Sequence, residues 1–237
     1  FEDVAQFLDH LFSSLGLLTY SHDHFQEELA AGSFAVIYKG PDQKMVLKRP
    51  VDPDDIDFQH ELLALNALAR NRHPQITEFV GVHHTQFGYG FLFPYYTLGT
   101  LNKYLKEWKK RPVNQYTLND KFFMLKLFGG VEFIHRLGWV HRDIKPNNIM
   151  IKDNGSGQLT PVLIDFGLTE KSDVMPEIFG GSPGFIDMAV LFGGTSTSVK
   201  KSSDIYSLAI TLVCVLLKTT WPFELAASCW KEKPIPF

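Results

Sequence analysis

The residues best suited to chemistry lie in one short stretch, 139 to 151, with the sequence WVHRDIKPNNIMI. Two bulky apolar residues precede a polar, charged octet, His141 to Asn148, and an apolar run follows it. A loop of this composition between two buried segments is not typical of a simple solvated turn. Asn148 and Asp165 offer oxygen ligands from two separate loops, which suits Mg²⁺, and the Lys145 ammonium can bind phosphate as a point charge.

The spacing of two motifs resembles that of eukaryotic-type protein kinases. The octet HRDIKPNN is followed by DFG at Asp165 to Gly167, seventeen residues after Asn148. The resemblance extends from about Leu29 to about Phe223, which is most of the chain. It implies an α+β, two-lobed protein kinase-like fold, with a small antiparallel-sheet N-lobe that carries one main helix and a mostly helical C-lobe.

The resemblance implies a role for each polar group of the two motifs. Asp143 would accept or orient the proton of a substrate hydroxyl, and Lys145 would contact the transferring phosphoryl group. Asn148 and Asp165 would hold the Mg²⁺ that bridges the phosphates of ATP. Taken alone, Asp143 would be interpreted as a solvated loop carboxylate, and it is the surrounding set that favours catalysis.

A second lysine is expected on the third strand of the family's sheet. MVLK, Met45 to Lys48, is similar to the family's VAIK, with Val46 where Ala is usual. Lys48 would contact the α- and β-phosphates, beneath an adenine roof made slightly bulkier by Val46. Glu61, thirteen residues later on a predicted helix, would hold Lys48; the alternative is a surface ion pair worth about 0.3–0.5 kcal/mol. Four positions match the family's internal hydrophobic stack, although each could be plain core: Leu65, Phe79, His141 and Phe166.

The glycine-rich loop departs from the family pattern GxGxxGxV. The chain reads AAGSFAVI from Ala30 to Ile37, and only Gly32 remains, with alanine in both outer positions. Because glycine allows close approach to phosphate and positive φ, we expect a nucleotide lid of reduced flexibility, with Ser33 and Phe34 at its tip. Without the other motifs, this segment would be interpreted as an ordinary hairpin.

The stretch FLFPYYTLGTL resembles the hinge that follows the fifth strand of the family's sheet. Phe93 would close the back of the adenine pocket, and backbone groups from Tyr95 onward, including Tyr96, would pair with adenine. Ile37 and Met150 match the apolar residues that sandwich the base. The simpler interpretation of the apolar members is core packing at a strand end.

Two positions resemble the pattern of kinases specific for serine and threonine. They are Lys145, two residues after Asp143, and Ser182, which would touch Lys145. Arg142 matches an arginine that often binds a phosphate on the activation segment. Candidate acceptors and acidic mimics of that phosphate follow in the sequence: Thr169 and Ser172, then Glu170 and Asp173.

The downstream sequence departs from the family a second time. Asp187-Met188-Ala189 stands where the family has APE, and no arginine follows Arg142. The buried glutamate–arginine pair of the family is therefore not expected, and the last C-lobe helices are either lost or lie outside this chain. Asp204 matches the buried aspartate that steadies the catalytic loop, with helix capping as the alternative.

The patterning predicts a strand-rich first half and a helix-rich second half. Two strands are predicted around Gly32 and a third ends at Lys48, with further strands at 76–82, 87–96, 149–151 and 162–164. Helices are predicted at 1–15, 57–70, 101–110, 117–137 and 203–218, and residues 166–203 as a long surface loop. The predicted domains are an N-terminal helical extension (1–26), the kinase N-lobe and hinge (27–96) and a C-lobe that lacks its final helices (97–237).

Composition excludes several functional classes. The 237 residues carry a net charge of −3, which gives no electrostatic reason to expect nucleic acid. The longest apolar run, Leu208 to Leu217, is too short to span a bilayer. The two cysteines, Cys214 and Cys229, match no disulfide or metal-binding pattern, so a cytoplasmic location is the default.

The sequence as a whole predicts an ATP- and Mg²⁺-dependent protein serine/threonine kinase, with a protein as substrate. One alternative is a pseudokinase, a binding module with the same fold and no turnover, which the altered glycine loop and the missing APE glutamate favour. Another is a small-molecule phosphotransferase with a similar catalytic loop. The amphipathic helix predicted at the N-terminus could dock a partner. No motif identifies that partner or the oligomeric state of the chain.

Overall fold

A computed structural model describes residues 18–20, 25, 27–32, 34–40, 43–52, 56–85, 88–108, 118–155, 158–176, 180–193 and 196–222. The predicted N-terminal helix, Ser33 and Cys229 lie outside this set. The chain divides into two compact units. The first unit comprises Phe1–Arg72 and Thr77–Tyr95, and the second comprises His73–Ile76 and Tyr96–Phe237.

The first unit is built on a six-stranded sheet with the order β1-β5-β6-β4-β3-β2. Its strands are β1 (Leu18–Tyr20), β2 (Glu27–Ala31), β3 (Ala35–Lys39), β4 (Met45–Pro50), β5 (Gly81–Thr85) and β6 (Gly88–Pro94). All neighbours are antiparallel except β1, which runs parallel to β5 with Leu18 opposite Gly81. Strand β1 was not predicted; it follows the helix predicted at 1–15 and lies within the predicted N-terminal extension, 1–26.

The predicted strand at 76–82 is wrong in its position. The strand begins at Gly81, and Ile76 instead forms a bridge with Leu163 in the second unit. The amide of Leu163 also donates to the Gln75 carbonyl at 2.8 Å. A short apolar run is compatible with any buried segment, so this pattern could not locate the point at which the chain passes from one unit to the other.

The helix of the first unit, α1 (Ile56–Ala69), buries one stripe. Glu61, Ala64, Leu65 and Leu68 recur at three- and four-residue spacing and are at most 3% exposed, which is the pattern of a helix packed on one face. Leu63, on another face, is 63% exposed. The helix thus presents a glutamate among apolar contacts, and that carboxylate requires a partner.

The second unit contains four helices among its described residues: α2 (Leu101–Trp108), α3 (Leu118–Arg136), α4 (Met188–Gly193) and α5 (Lys201–Leu217). Two small antiparallel sheets accompany them, one of β7 (Trp139–Val140) with β10 (Glu170–Lys171) and one of β8 (Ile149–Asp153) with β9 (Leu159–Leu163). Helix α4 and strand β10 lie in the segment predicted as a loop. No helix in the part of the chain that the structure describes is long and apolar enough to cross a membrane.

In the second unit, helix α3 packs against strand β9 of the β8–β9 hairpin. Its buried residues include Leu127, Val131 and Ile134, at the spacing of one helix face. A Cβ on Gly130 would lie 2.9 Å from the Gln75 Cβ and 3.3 Å from the Gln75 carbonyl oxygen. The glycine therefore permits the crossing segment, His73–Ile76, to pack against the helix.

Candidate active site

Lys48 and Glu61 form an ion pair inside the first unit. The Lys48 Nζ lies 2.8 Å from both carboxylate oxygens of Glu61, and the side chains are 16% and 3% exposed. Strand β4 carries the lysine between β3 and β6, and α1 brings the glutamate to it. The alternative of an exposed surface pair is wrong, and removal of one partner from so buried a pair typically costs about 3–5 kcal/mol.

The sheet places most of the predicted nucleotide residues on one face. Directly opposite residues on neighbouring strands project to the same side, as do residues two apart on one strand. The pairs are Ala30 with Ile37, Ile37 with Lys48, and Val46 with Phe93. This face therefore combines small and apolar side chains with one ammonium group, an arrangement that can hold a flat apolar ring beside an anionic group.

The loop after β2 does not require glycine in this conformation. Gly32 donates from its amide to the Ala35 carbonyl at 2.9 Å, and its φ is not positive. A Cβ there would lie 3.5 Å from the Ala35 carbonyl oxygen, an ordinary contact. Phe34 at the turn is 70% exposed. In this conformation, Gly32 does not adopt a φ angle that requires glycine. What glycine adds at this position is conformational freedom of the backbone.

One backbone group of the predicted hinge already has a hydrogen-bond partner in the first unit. The Tyr95 amide donates to the Lys44 carbonyl at 2.7 Å, so this N–H is used within the protein. That backbone groups from Tyr95 onward pair with adenine stays a prediction. The Phe93 ring lies 6.0 Å from that of Phe79, centroid to centroid. Tyr96 belongs to the second unit, where its carbonyl accepts from the Gly99 amide at 3.0 Å.

In the second unit, Asp143 is held by one carboxylate oxygen. Its Oδ2 accepts from the Lys145 Nζ at 2.7 Å and from the Asn148 Nδ2 at 2.8 Å. Its Oδ1 is buried and has no hydrogen-bond partner among the described residues. Because buried polar atoms are normally paired, this oxygen is an acceptor that the described residues leave unused, beside one that they anchor.

Asn148 and Asp165 both lie at the open end of the β8–β9 hairpin. The Ile164 amide donates to the Asn148 carbonyl at 3.0 Å, and Asp165 follows with a φ of +64°. The Asn148 Nδ2 donates to the backbone oxygen and to Oδ2 of Asp143. The amide oxygen of Asn148 and the Asp165 carboxylate are then the groups suited to a hard cation.

Those two ligands fit Mg²⁺ better than they fit a metal held by protein alone. Within the described ranges, no group of three or more His, Cys, Asp or Glu could hold a metal ion. Mg²⁺ usually keeps several waters and binds through one or two carboxylates together with the phosphates of the substrate. The donor set therefore fits a cation that arrives with a nucleotide.

Asp204 on α5 fixes the backbone of the catalytic loop. The amides of His141 and Arg142 each donate to its carboxylate at 2.8 Å, and the His135 Nε2 lies 2.8 Å from it. Asp204 is fully buried, whereas α5 is capped at Lys200 with no side-chain cap. The helix-capping alternative is therefore wrong. These bonds hold Arg142 at a φ of +69°, a conformation that costs of order 1–3 kcal/mol.

The segment after DFG forms hydrogen bonds with Arg142 and between its own residues. The Arg142 Nη1 donates to the Leu168 carbonyl at 3.2 Å; burial lowers the pKa of Arg142, and the Glu170 and Asp204 carboxylates partly raise it. Thr169 is 3% exposed, so this conformation does not offer its hydroxyl to a kinase. The Ser172 hydroxyl donates to the Asp173 carboxylate at 2.6 Å.

Ser182 lies where the sequence places it. Its hydroxyl accepts a short hydrogen bond from the Lys145 Nζ, which links the segment before α4 to the catalytic loop. Asp187, the first residue of the altered APE, accepts from the Ala189 amide at 2.9 Å and so begins α4. Sequence reasoning missed His135, whose position six residues before His141 is the only signal it carries.

The residues matched to the hydrophobic stack are buried, each pair in its own unit. Leu65 and Phe79 are 1% and 6% exposed in the first unit. His141 and Phe166 are fully buried in the second unit, with ring centroids 5.0 Å apart. Met150, on β8, pairs with Val162 and forms a bridge with Thr100.

Comparison with known proteins agrees with this geometry. Residues 24–231 match the model of the protein kinase domain family. The chain is 32% identical over 207 residues to the serine/threonine-protein kinase PknK of Mycobacterium bovis, and 28% identical over 218 residues to the putative serine/threonine-protein kinase R517/R518 of Acanthamoeba polyphaga mimivirus. These alignments cover 80% and 79% of this chain, but 17% and 48% of the relatives. The match across most of its length shows that the chain belongs to the protein kinase family.

Proposed function

We propose that this protein is a serine/threonine kinase that transfers the γ-phosphoryl group of ATP to a protein hydroxyl. The observation that carries the proposal is the Asp143 carboxylate, anchored through Oδ2 by Lys145 and Asn148 with Oδ1 buried and unpaired. The kinase relatives support it, because their names describe the same activity.

Each residue has a defined part in the proposed reaction. The substrate hydroxyl attacks the γ-phosphorus, its proton passes to Oδ1 of Asp143, and the bond to the oxygen of the leaving ADP breaks. Lys145, bonded to both Asp143 and Ser182, neutralises charge on the moving group. Asn148 and Asp165 would hold Mg²⁺, which supplies charge neutralisation on the phosphates when bound.

The first unit supplies nucleotide binding in this proposal. Lys48, oriented by Glu61, contacts the α- and β-phosphates, and Ala30, Ile37 and Val46 line the side of the base. Gly32 and Phe34 belong to the proposed lid, and Phe93 closes the back of the pocket. Because the Tyr95 amide is already bonded, other backbone groups from Tyr95 onward, including those of Tyr96, would pair with adenine, and Met150 would contact the base.

The preference for serine and threonine rests on the contact between Lys145 and Ser182. That contact places a polar bridge beside Asp143, where the hydroxyl must approach. A cytoplasmic location is part of the same proposal and is supported by the cysteine content alone.

A second candidate is a pseudokinase. Alanine in both outer positions of the glycine loop and Ala189 in place of the APE glutamate favour it. The paired Lys48–Glu61 and the anchored Asp143 favour turnover. Binding of nucleotide alone would not separate the two candidates, because a ligand stabilises the folded state in either case.

Turnover by the wild-type chain and by Asp143→Asn separates the candidates. We expect ATP-dependent phosphorylation of casein to fall by about 10²–10⁴-fold in the variant, the range for loss of a general base. Asp153→Asn, an exposed aspartate at the end of β8, is the matched control and should retain wild-type rates.

Equal rates in wild type and Asp143→Asn would contradict the proposed activity. Absence of turnover in both, with nucleotide still bound, would support the pseudokinase. Phosphoamino-acid analysis of the product distinguishes serine and threonine from tyrosine, and phosphorylation of a free aminoglycoside or choline in place of casein would indicate a small-molecule phosphotransferase.

A further inference from the structure

Four aromatic side chains form a cluster in the first unit, which we call the aromatic cluster: Phe58, Phe91, Phe79 and Phe93. Phe58 on α1 stacks face to face on Phe91 of β6, with ring centroids 3.7 Å apart and planes 7° apart. Phe79 meets Phe91 edge-on at 5.5 Å and lies 6.0 Å from Phe93. The cluster therefore runs without interruption from the helix to the end of β6.

The cluster lies beside both partners of the ion pair in the sheet register and along the helix. Phe91 is the register partner of Lys48 across β6 and β4, so the two side chains lie on the same face of the sheet. Phe58 precedes Glu61 by three residues on α1, about one helical turn. The stack and the ion pair are thus two adjacent attachments of the same helix to the same pair of strands.

The two attachments differ in what they constrain. The buried aliphatic stripe of α1, including Leu65 and Leu68, is stabilised by the hydrophobic effect, which has no preferred direction. Stacked rings have a preferred separation and orientation, so a shift of α1 would disrupt the stack. The stack accordingly selects the position of α1 at which Glu61 reaches Lys48.

We propose that Phe58 is a positioning residue, which acts through its stack on Phe91 to hold α1 where Glu61 orients Lys48. The proposal rests on the proposed function, in which Lys48 binds nucleotide phosphates, and it assigns to Phe58 a role in that binding without contact with the nucleotide. The same cluster reaches Phe93, so the position of α1 and the back wall of the base pocket are set by one group of rings.

The first test does not depend on turnover. Acylation of Lys48 by acetic anhydride, measured by mass spectrometry on the folded chain, reports whether its amine is held in the pair. We expect several-fold faster labelling in Phe58→Leu and in Glu61→Gln than in wild type. Phe58→Tyr, which keeps the ring, and Leu63→Ala, an exposed position on the same helix, should label at the wild-type rate.

Unchanged labelling in Phe58→Leu, with faster labelling in Glu61→Gln, would overturn the proposal. The melting temperature of each variant shows that labelling is compared between folded proteins. Phe91→Leu removes the other ring and provides a second variant with the same expected labelling.

The second test is a double-mutant cycle on kcat/KM. If Phe58 acts through Glu61, Phe58→Leu should lower kcat/KM about tenfold in wild type and have little further effect in Glu61→Gln, because the two residues are coupled. Additive effects would show a merely structural role and overturn the proposal. If wild type shows no Asp143-dependent turnover, the proposed function fails, and the labelling experiment still decides the role of Phe58.

Discussion

Among single residues, Asp204 holds the backbone of the catalytic loop from a distant helix. Its carboxylate accepts from two consecutive backbone amides, those of His141 and Arg142, and lies 2.8 Å from the His135 ring. Hydrogen bonds to a buried charged group are stronger than neutral ones. The position of Asp143, one residue later, therefore depends on a side chain more than sixty residues away in sequence.

We expect Asp204→Asn to lower the free energy of unfolding by about 1.5–3 kcal/mol, the range for a hydrogen bond to a charged group. It should also lower kcat, because Arg142 would no longer be held in its left-handed conformation. Urea unfolding and casein phosphorylation measure the two effects. Ser202→Ala, exposed on the same helical turn, is the control, and equal stability of the two variants would contradict the role assigned to Asp204.

Among the elements, α3 shows how one glycine can be required and its neighbour not. A Cβ at Gly130 would meet the Gln75 Cβ at 2.9 Å and the Gln75 carbonyl at 3.3 Å, whereas a Cβ at Gly129 would meet nothing closer than the His73 ring at 3.9 Å. At Gly130 the helix therefore packs against the crossing segment at a position without a side chain.

Substitution of the two glycines by alanine is predicted to change the free energy of unfolding in opposite directions. We expect Gly130→Ala to lower the free energy of unfolding, because overpacking costs about 1–3 kcal/mol against a gain in helix propensity of about 1 kcal/mol. Gly129→Ala should raise it by up to about 1 kcal/mol, because only the propensity changes. Urea denaturation of both variants checks the prediction, and a stabilised Gly130→Ala would show that the contact with Gln75 is not tight.

For the whole molecule, each compact unit contains its own part of the chemistry. The first unit pairs Lys48 with Glu61, and the second holds Asp143, Lys145 and Asn148 together. Neither set depends on the other for its internal bonds. The proposed reaction requires both sets, so nucleotide binding and turnover have to be measured separately.

The stability of the whole chain should depend on pH through His73. Burial lowers the pKa of His73 below its usual 6.5, Arg136 lowers it further, and Glu132 partly opposes both. Since the folded state binds a proton at His73 less readily than the unfolded state, the stability linked to His73 is fully present above pH 6.5. That contribution decreases as the pH falls below 6.5.

We expect the melting temperature to decrease from pH 7.5 to pH 5.5, and to decrease less in His73→Phe, which keeps a ring to stack on Phe133. Differential scanning calorimetry at the two pH values gives the comparison. An identical decrease in both proteins would assign the pH dependence to other groups.

The sequence was sufficient for the parts of the molecule that depend on local spacing. The catalytic octet, the DFG motif and the lysine followed by a helical glutamate each lie within a few residues of one another or within one helix-and-strand unit, so their arrangement follows from periodicity and motif. The pairing of Lys48 with Glu61 and of Lys145 with Ser182 follows from the family resemblance of those motifs.

Only the tertiary structure decided contacts between residues distant in sequence. Periodicity could not distinguish a strand at 76–82 from a buried crossing segment, because both bury apolar residues. It could not choose between Asp204 as a helix cap and Asp204 as the acceptor for the catalytic loop, because either role needs a carboxylate near a helix start. Burial of Thr169 and the stack of Phe58 on Phe91 likewise depend on which surfaces meet, and that is set by packing over the whole unit.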